Sequence, residues 1–108
     1  MENDFKLRNY FHTLQMQLAR TWETCDDDSQ FHHEANGLFE LIRQMDAYVL
    51  IESDIFRTMI KLYNAYIQSL RAYRAFAAKE RKSNSALSSK EIARKRYDEF
   101  YNFISKYV

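Results

Sequence analysis

Apolar residues recur along this chain at the three- and four-residue intervals that place them on one face of an α-helix. The first such stripe consists of Leu7, Phe11, Leu14, Leu18 and Trp22. The second consists of Phe31, Ala35, Leu38, Ile42, Met45 and Val49, with Phe39, Leu41 and Tyr48 beside it. The last consists of Ala93, Tyr97, Phe100, Ile104 and Tyr107, with Ile92 and Phe103 beside it. These stripes predict amphipathic helices over about 4–24, 30–51 and 89–107.

The segment 55–82 differs because it carries two apolar stripes on one predicted helix, which spans about 54–82. One stripe consists of Ile55, Met59, Leu62, Tyr66, Ser69, Tyr73 and Phe76. The other consists of Phe56, Ile60, Tyr63, Ile67, Leu70, Arg74 and Ala77. A helix with two apolar stripes is expected to be covered by neighbours on most of its circumference. We therefore predict that the other three helices pack against this one.

Polar residues at the helix ends predict where the helices begin. Asn3 or Asp4 would cap the first helix, and a residue of the acidic turn after Cys25 (Asp27, Asp28 or Ser29) would cap the second. Residues 83–88 are rich in serine and are predicted to form the longest loop. The sequence from Ser88 to Glu91 matches a capping box and predicts the start of the last helix.

The boundary between the second and third helices depends on one short polar segment, Glu52–Asp54, in which Ser53 or Asp54 would cap the third helix. Without a break there, one helix over 30–82 would be about 75 Å long, a length that requires an oligomer. We favour the break. The chain is then a single domain, residues 1–108, with an all-α, antiparallel four-helix bundle fold.

Composition supports long helices with short turns and argues against a membrane protein. The 108 residues include no proline and one glycine, Gly37, which would mark either the close approach of another helix or a kink. The longest wholly apolar run is Ala47–Ile51, whereas a membrane span needs about 20 residues. Cys25 is the only cysteine and is followed by three aspartates that disfavour the thiolate. We expect a soluble, cytoplasmic protein with no signal peptide.

Charge is divided unequally between the two halves of the chain. Residues 1–54 contain 4 basic and 11 acidic residues, a net charge of −7, and residues 55–108 contain 12 basic and 4 acidic residues, a net charge of +8. Two interpretations follow. The basic half binds an anionic partner, or the acidic early helices simply lie beside the basic late ones.

The basic residues concentrate at the end of the third helix and the start of the fourth, with Tyr73 among them. Because antiparallel helices bring these two segments to the same end of the bundle, we predict one basic rim around a serine-rich loop. Such a rim suits phosphate backbones, and tyrosines can stack on unpaired bases. The alternatives are a solvated helix end with internal ion pairs and contact with an acidic protein or lipid surface. The candidate binding residues are Arg71, Arg74, Lys79, Arg81, Lys82, Lys90, Arg94, Lys95 and Arg96.

A second hypothesis assigns recognition to the acidic half. In it the chain is a protein–protein module, such as an inhibitor (for example phage-encoded), an immunity protein or a chaperone, that binds a basic partner. A third hypothesis is a homodimer in which acidic and basic halves pair between chains. The candidate residues of the acidic face are Asp26, Asp27, Asp28, Glu34 and Glu40.

No catalytic or metal-binding pattern is evident, so we expect a non-enzymatic protein without a cofactor. Asp28 and His32 are four residues apart and would share a helix face, but no second carboxylate–histidine pair accompanies them. Arg8 and His12 stand too close in sequence to match the Arg and His spacing of small helical ribonucleases.

Two short stretches resemble the small helical subunit of type III CRISPR effector complexes. Lys6-Leu7-Arg8-Asn9 is similar to a motif near the start of that subunit. Arg96–Glu99 and the closing Lys106-Tyr107 resemble its last helix, whereas the family's central Ala-Gly-Arg segment is missing. The resemblance implies an all-α, non-enzymatic subunit of an antiviral complex that lines a target RNA. It would implicate Lys6, Arg8, Arg96 and Lys106.

Together these observations predict a non-catalytic accessory or regulatory protein. It would bind within or onto a larger protein or nucleoprotein complex and contact the backbone of single-stranded RNA or DNA through the basic end of its third and fourth helices.

Overall fold

The helix predicted from each apolar stripe is present in a computed structural model, in which residues 2–44 and 53–108 are described. The helices are α1 (Glu2–Glu23), α2 (Asp28–Arg43), α3 (Ser53–Lys79) and α4 (Asn84–Ser105). They pack as a four-helix bundle, and these residues include no strand. The predicted all-α fold class is therefore confirmed. None of the helices in the described ranges combines the length and the apolarity needed to cross a membrane.

Helix α2 begins at Asp28, two residues before the predicted start, and its cap is one of the three residues that the acidic turn offered. The Asp27 carboxylate accepts a hydrogen bond from the backbone N–H of Gln30 at 2.9 Å, so Asp27 is the N-cap. Asp28 stands in the first turn, where a negative charge opposes the positive end of the helix dipole. The helix ends at Arg43, and the predicted extension to residue 51 and the predicted break at Glu52 lie outside the described residues.

The predicted starts of α1 and α3 are displaced by one or two residues. Asn3 and Asp4 lie inside α1, which already begins at Glu2. Ser53 and Asp54 are the first two residues of α3 and do not precede it. Helix α3 ends at Lys79, three residues before the predicted end.

The start of α4 was predicted wrongly. Its N-cap is Ser83, whose hydroxyl accepts a hydrogen bond from the backbone N–H of Ala86 at 3.1 Å. The capping-box sequence Ser88–Glu91 therefore lies inside the helix, and the predicted serine loop shrinks to residues 80–83. Tertiary packing explains the earlier start of α4. Ala86 is completely buried, and its burial favours a helix that begins about one turn before the predicted start.

The helices pair as two hairpins, α1–α2 and α3–α4, that meet where α1 lies against α4. Phe11 of α1 stacks on Tyr107, and Gln15 donates to the hydroxyl of Ser105 at 2.8 Å.

Helices α2 and α3 pack only loosely on each other. Helix α3 packs extensively only on α4, but single side chains also join it to the other two helices, Tyr66 to Thr21 of α1 and Arg74 to Phe31 of α2. The predicted contact of α3 with all three helices is therefore present, although the side of α3 that faces α2 is left open.

The predicted stripes supply the core. Their completely buried members include Phe11, Leu14, Leu18, Leu38, Met59, Tyr66, Leu70, Ala93, Phe100 and Ile104. Three residues assigned to these stripes or their flanks are instead well exposed, namely Phe39 (47%), Phe76 (43%) and Ile92 (52%). Phe39 lines a groove between α2 and α3, and Ile92 lines a groove between α3 and α4.

A buried pair of hydroxyls connects α1 to α3. Thr21 is the only buried polar residue among those described. Its hydroxyl donates to the backbone oxygen of Leu18 at 2.6 Å and lies 2.8 Å from the hydroxyl of Tyr66. Because the single Thr21 proton is used in the first bond, Tyr66 is the donor in the second. Both hydroxyls are thereby satisfied in the core, which removes the cost of burying them.

Gly37 marks a close approach of α1 to α2, the first of the two interpretations given for it. A methyl group at Gly37 would lie 2.8 Å from Nε2 of Gln17. That amide donates to the backbone oxygen of Glu34 at 2.8 Å and to its carboxylate at 2.7 Å. Gly37 has no positive φ, so the glycine is not required by an unusual backbone conformation. Its missing side chain leaves space for the amide of Gln17.

We therefore expect Gly37→Ala to change the free energy of unfolding very little by itself. Alanine favours the helix by about 1 kcal/mol, but it displaces an amide whose hydrogen bonds contribute on the order of 1 kcal/mol each. In a Gln17→Ala background the same substitution should stabilise the protein by about 1 kcal/mol. Urea unfolding of the four proteins measures this coupling. An equal effect of Gly37→Ala in both backgrounds would contradict it.

Candidate functional site

The acidic turn between α1 and α2 binds the basic end of the α3–α4 hairpin. Tyr73 donates its hydroxyl proton to Asp26 at 2.5 Å, and the ammonium group of Lys90 lies 3.7 Å from the other oxygen of that carboxylate. Arg74 pairs with Asp28 and also donates to the backbone oxygen of Cys25 at 2.8 Å. These contacts form what we call the turn clamp: Asp26, Asp28, Tyr73, Arg74 and Lys90. The interpretation in which the acidic early helices lie beside the basic late ones therefore holds at this end of the bundle.

Arg74 has a structural role in the turn clamp. Its side chain is only 19% exposed, and its guanidinium carbon lies 4.4 Å above the centre of the Phe31 ring. A guanidinium group that is bonded to a carboxylate and to a carbonyl and that also stacks on a ring has few donors left for a ligand. Arg74 thus anchors the start of α2 to α3.

Three other candidate cations on α4 also have partners within the chain. Lys90 and Arg94 approach the Trp22 ring of α1 at 6.0 and 5.3 Å, and Arg94 pairs with Asp98 at 3.3 Å. Arg96 pairs with Glu99 at 3.2 Å and lines a separate groove between α3 and α4. Exposed pairs one helical turn apart contribute little stability, so Arg94 and Arg96 are only weakly held by their acids.

The predicted single basic rim is therefore divided among several surfaces. Arg71 and Arg74 line the side of α3 that faces α2, Lys90 and Arg94 lie beside α1, and Arg96 lies in the groove between α3 and α4. Five of the predicted binding residues, Arg71 included, are exposed and form no ion pair within the described part of the chain. They are Arg71, Lys79, Arg81, Lys82 and Lys95.

Three of those unpaired cations surround the α3–α4 turn. Lys79 ends α3, and Arg81 and Lys82 belong to the turn itself. Arg81 also lines a small cleft of about 160 Å³ that contains Asp26 and Asp28. We call Lys79, Arg81 and Lys82 the basic turn, and Glu80 is the acid among them.

Every residue of the alternative acidic face has a partner inside the molecule. Asp26 and Asp28 belong to the turn clamp, and Asp28 also lies 3.9 Å from His32, the helix-face pair predicted from their spacing. Asp27 caps α2, Glu34 accepts a hydrogen bond from Gln17, and Glu40 pairs with Arg43 at 3.0 Å. The described structure thus uses these acids internally and leaves cations unpaired.

A groove of about 420 Å³ separates α2 from α3, on the open side of α3. Its apolar part is formed by Phe31, Ala35, Phe39, Tyr63 and Ile67. Its polar part is formed by His32, Asn36, Asn64, Gln68, Arg71 and Arg74. No periodicity in the sequence predicted it, because it arises from the sparse packing between the two helices.

The residues implicated by the CRISPR-subunit resemblance lie mainly away from the basic turn. Lys6 and Arg8 are exposed on the first turns of α1, and Lys106 follows α4 with its ammonium group 5.7 Å from the Phe103 ring centre. Because α1 and α4 run antiparallel, these residues share one end of the bundle and the basic turn lies at the other.

The described residues contain no group of three metal-binding side chains.

Comparison with protein-family models, with curated proteins and with solved structures finds no match for this chain.

Two groups at the turn clamp have shifted pKa values. Burial raises the pKa of the Cys25 thiol, and the Asp26 carboxylate raises it further, the direction predicted from the adjacent aspartates. Burial also raises the pKa of the Tyr73 phenol to about 12, and its hydrogen bond to Asp26 acts in the same direction. Neither group is poised to react at neutral pH.

The raised pKa of Tyr73 predicts that the protein loses stability at alkaline pH. Between its unfolded pKa of about 10 and its folded pKa of about 12, only the unfolded chain releases the proton. The free energy of unfolding should therefore fall by up to about 1.4 kcal/mol per pH unit as the pH rises through this range. Tyr73→Phe should remove that part of the slope in guanidinium unfolding at pH 9 to about 12. Identical slopes in the two proteins would contradict the role assigned to Tyr73.

Proposed function

We propose that this chain is a non-catalytic helical accessory protein that binds an anionic surface of a nucleoprotein assembly through the basic turn. The observation that supports this proposal is that the acids of the alternative face are paired within the molecule, whereas the cations of the basic turn are not. Every acid of the alternative face is bonded within the molecule, whereas Lys79, Arg81 and Lys82 have no ion-pair partner in the described structure.

The partner favoured by this surface is a phosphate backbone. Flexible lysine ammonium groups neutralise phosphates as point charges without reading base identity. The rings next to the turn clamp are covered by Arg74, Lys90 and Arg94, so base stacking contributes less than the sequence predicted. Binding should therefore depend on charge and show little sequence preference.

The resemblance to the small subunit of type III CRISPR complexes fits the same class of function. On that reading Lys6, Arg8, Arg96 and Lys106 would extend the contact along the bundle towards its other end. A cytoplasmic location also belongs to this proposal, as it suits a single buried thiol.

The test is binding of a fluorescein-labelled oligouridine, followed by anisotropy across a salt series. If the three cations of the basic turn neutralise three phosphates, the logarithm of the association constant should fall with the logarithm of the salt concentration with a slope of about −2. Lys79→Glu/Lys82→Glu should weaken binding by at least about tenfold at low salt and flatten the slope.

The matched control is Arg57→Glu/Lys61→Glu, which changes net charge by the same amount. Both residues are exposed on α3, far along the helix from the basic turn. This variant should retain the slope and most of the affinity, and circular dichroism should show both variants folded. Absence of salt-dependent binding in the unaltered protein, or equal losses in the two variants, would refute the proposal.

A pull-down from the native host with and without nuclease extends the test to the assembly. If the basic turn holds the protein on nucleic acid, nuclease should release the co-purified proteins. Their full retention after nuclease treatment would instead favour direct protein contact.

A further inference from the structure

The groove between α2 and α3 has a volume of about 420 Å³ and contains none of the basic turn. It exists because α1 occupies one side of α2 and α4 occupies one side of α3, and within residues 2–44 and 53–108 no third helix fills the space between the facing sides of α2 and α3. Phe39 is 47% exposed there, with its ring centre 6.2 Å from that of Tyr63. A large apolar side chain entering the groove would cover both rings.

The charged side chains that line this groove are Arg71 and Arg74, and both are basic. Its lining includes His32, Arg71 and Arg74 but no aspartate or glutamate. Arg74 is held by Asp28 and by the backbone oxygen of Cys25, whereas Arg71 is exposed and has no ion pair among the described residues. The groove therefore offers one guanidinium group that is free to bind an anion.

The aromatic and cationic parts of the groove are separated along α3. Tyr63, Ile67 and Arg71 follow one another at four-residue intervals, so Arg71 lies about 12 Å beyond Tyr63 along the helix axis. Three carboxamides, those of Asn36, Asn64 and Gln68, line the groove as well. A carboxamide both donates and accepts, which suits the alternating N–H and C=O groups of a peptide backbone.

We propose that this groove binds a short segment of a partner protein that presents a large apolar side chain to Phe39 and Tyr63 and a carboxylate to Arg71. A nucleic acid fits less well, because it brings one negative charge per nucleotide to a groove with one unpaired cation and with Asp28 beside Arg74. The inference is independent of the basic turn, since the two surfaces share no residue.

Selection of random linear peptides displayed on phage against the folded protein tests this inference. The selected peptides should combine an aromatic or large aliphatic residue with an aspartate or glutamate a few positions away. Arg71→Glu should reverse the charge preference of the selected peptides from acidic to basic. Phe39→Ser should weaken binding of a selected synthetic peptide by about tenfold, as expected for loss of an aromatic contact at the centre of an interface.

Two matched variants control for net charge and for the loss of an exposed apolar side chain. Arg57→Glu, also on α3, and Met16→Ser, on an exposed face of α1, lie outside the groove and should leave peptide selection and affinity unchanged. Thermal unfolding should confirm that all four variants fold.

Several results would overturn the proposal. They are a selection that yields no binding peptide, peptides without an acidic preference, and peptide binding that survives Phe39→Ser. If oligouridine binding is lost in Phe39→Ser but kept in Lys79→Glu/Lys82→Glu, the groove binds nucleic acid instead. If sedimentation shows a dimer that Phe39→Ser dissociates, the occupant is a second copy of the chain. Failure of the basic-turn experiment alone leaves the peptide proposal standing.

Discussion

The structure depends on the turn clamp, in which the acidic turn of one helical hairpin holds the basic end of the other. Asp26 and Asp28 each contact two or more groups, and the Arg74 guanidinium spans from a carboxylate to a backbone oxygen. Charge-assisted hydrogen bonds to a partly buried arginine are stronger and more directional than exposed ion pairs. Together with the Thr21–Tyr66 hydroxyl pair, they fix α3 relative to α1 where direct helix packing is sparse.

This clamp also determines which charges remain for binding. The opposite net charges of the two halves suggest two extended surfaces of opposite sign, but the turn clamp pairs two acids of the first half, Asp26 and Asp28, with two cations of the second, Lys90 and Arg74. Among the predicted binding residues, the cations without an ion pair in the described structure are the three of the basic turn, Arg71 in the open groove and Lys95 on α4. The same bundle arrangement, with α2 and α3 only loosely packed, creates both the groove and the exposure of Phe39.

Periodicity predicted the helices and most of the core because burial of one apolar face follows directly from residue spacing. Phe11, Leu38 and Phe100 were assigned correctly for that reason. The start of α4 was missed because Ser83 and Ser88 are equally good caps locally, and only the buried position of Ala86 distinguishes them. The sequence identified the basic residues of the candidate site. It did not predict the groove, and it did not predict that the basic residues are divided among several surfaces.

The sequence by itself determined an all-α bundle, the acidic turn that caps α2 and the disfavoured Cys25 thiolate, and it limited the cap to three residues and Gly37 to a close approach or a kink. Each of these depends on local spacing or on immediate neighbours. Only the tertiary structure decided which carboxylate meets which cation, and that α2 and α3 leave an open side. Ion pairs such as Arg74–Asp28 join residues that are far apart in sequence, so local spacing does not predict them. The spacing of apolar residues predicts that one face of a helix is buried, but it does not predict which other helix covers that face.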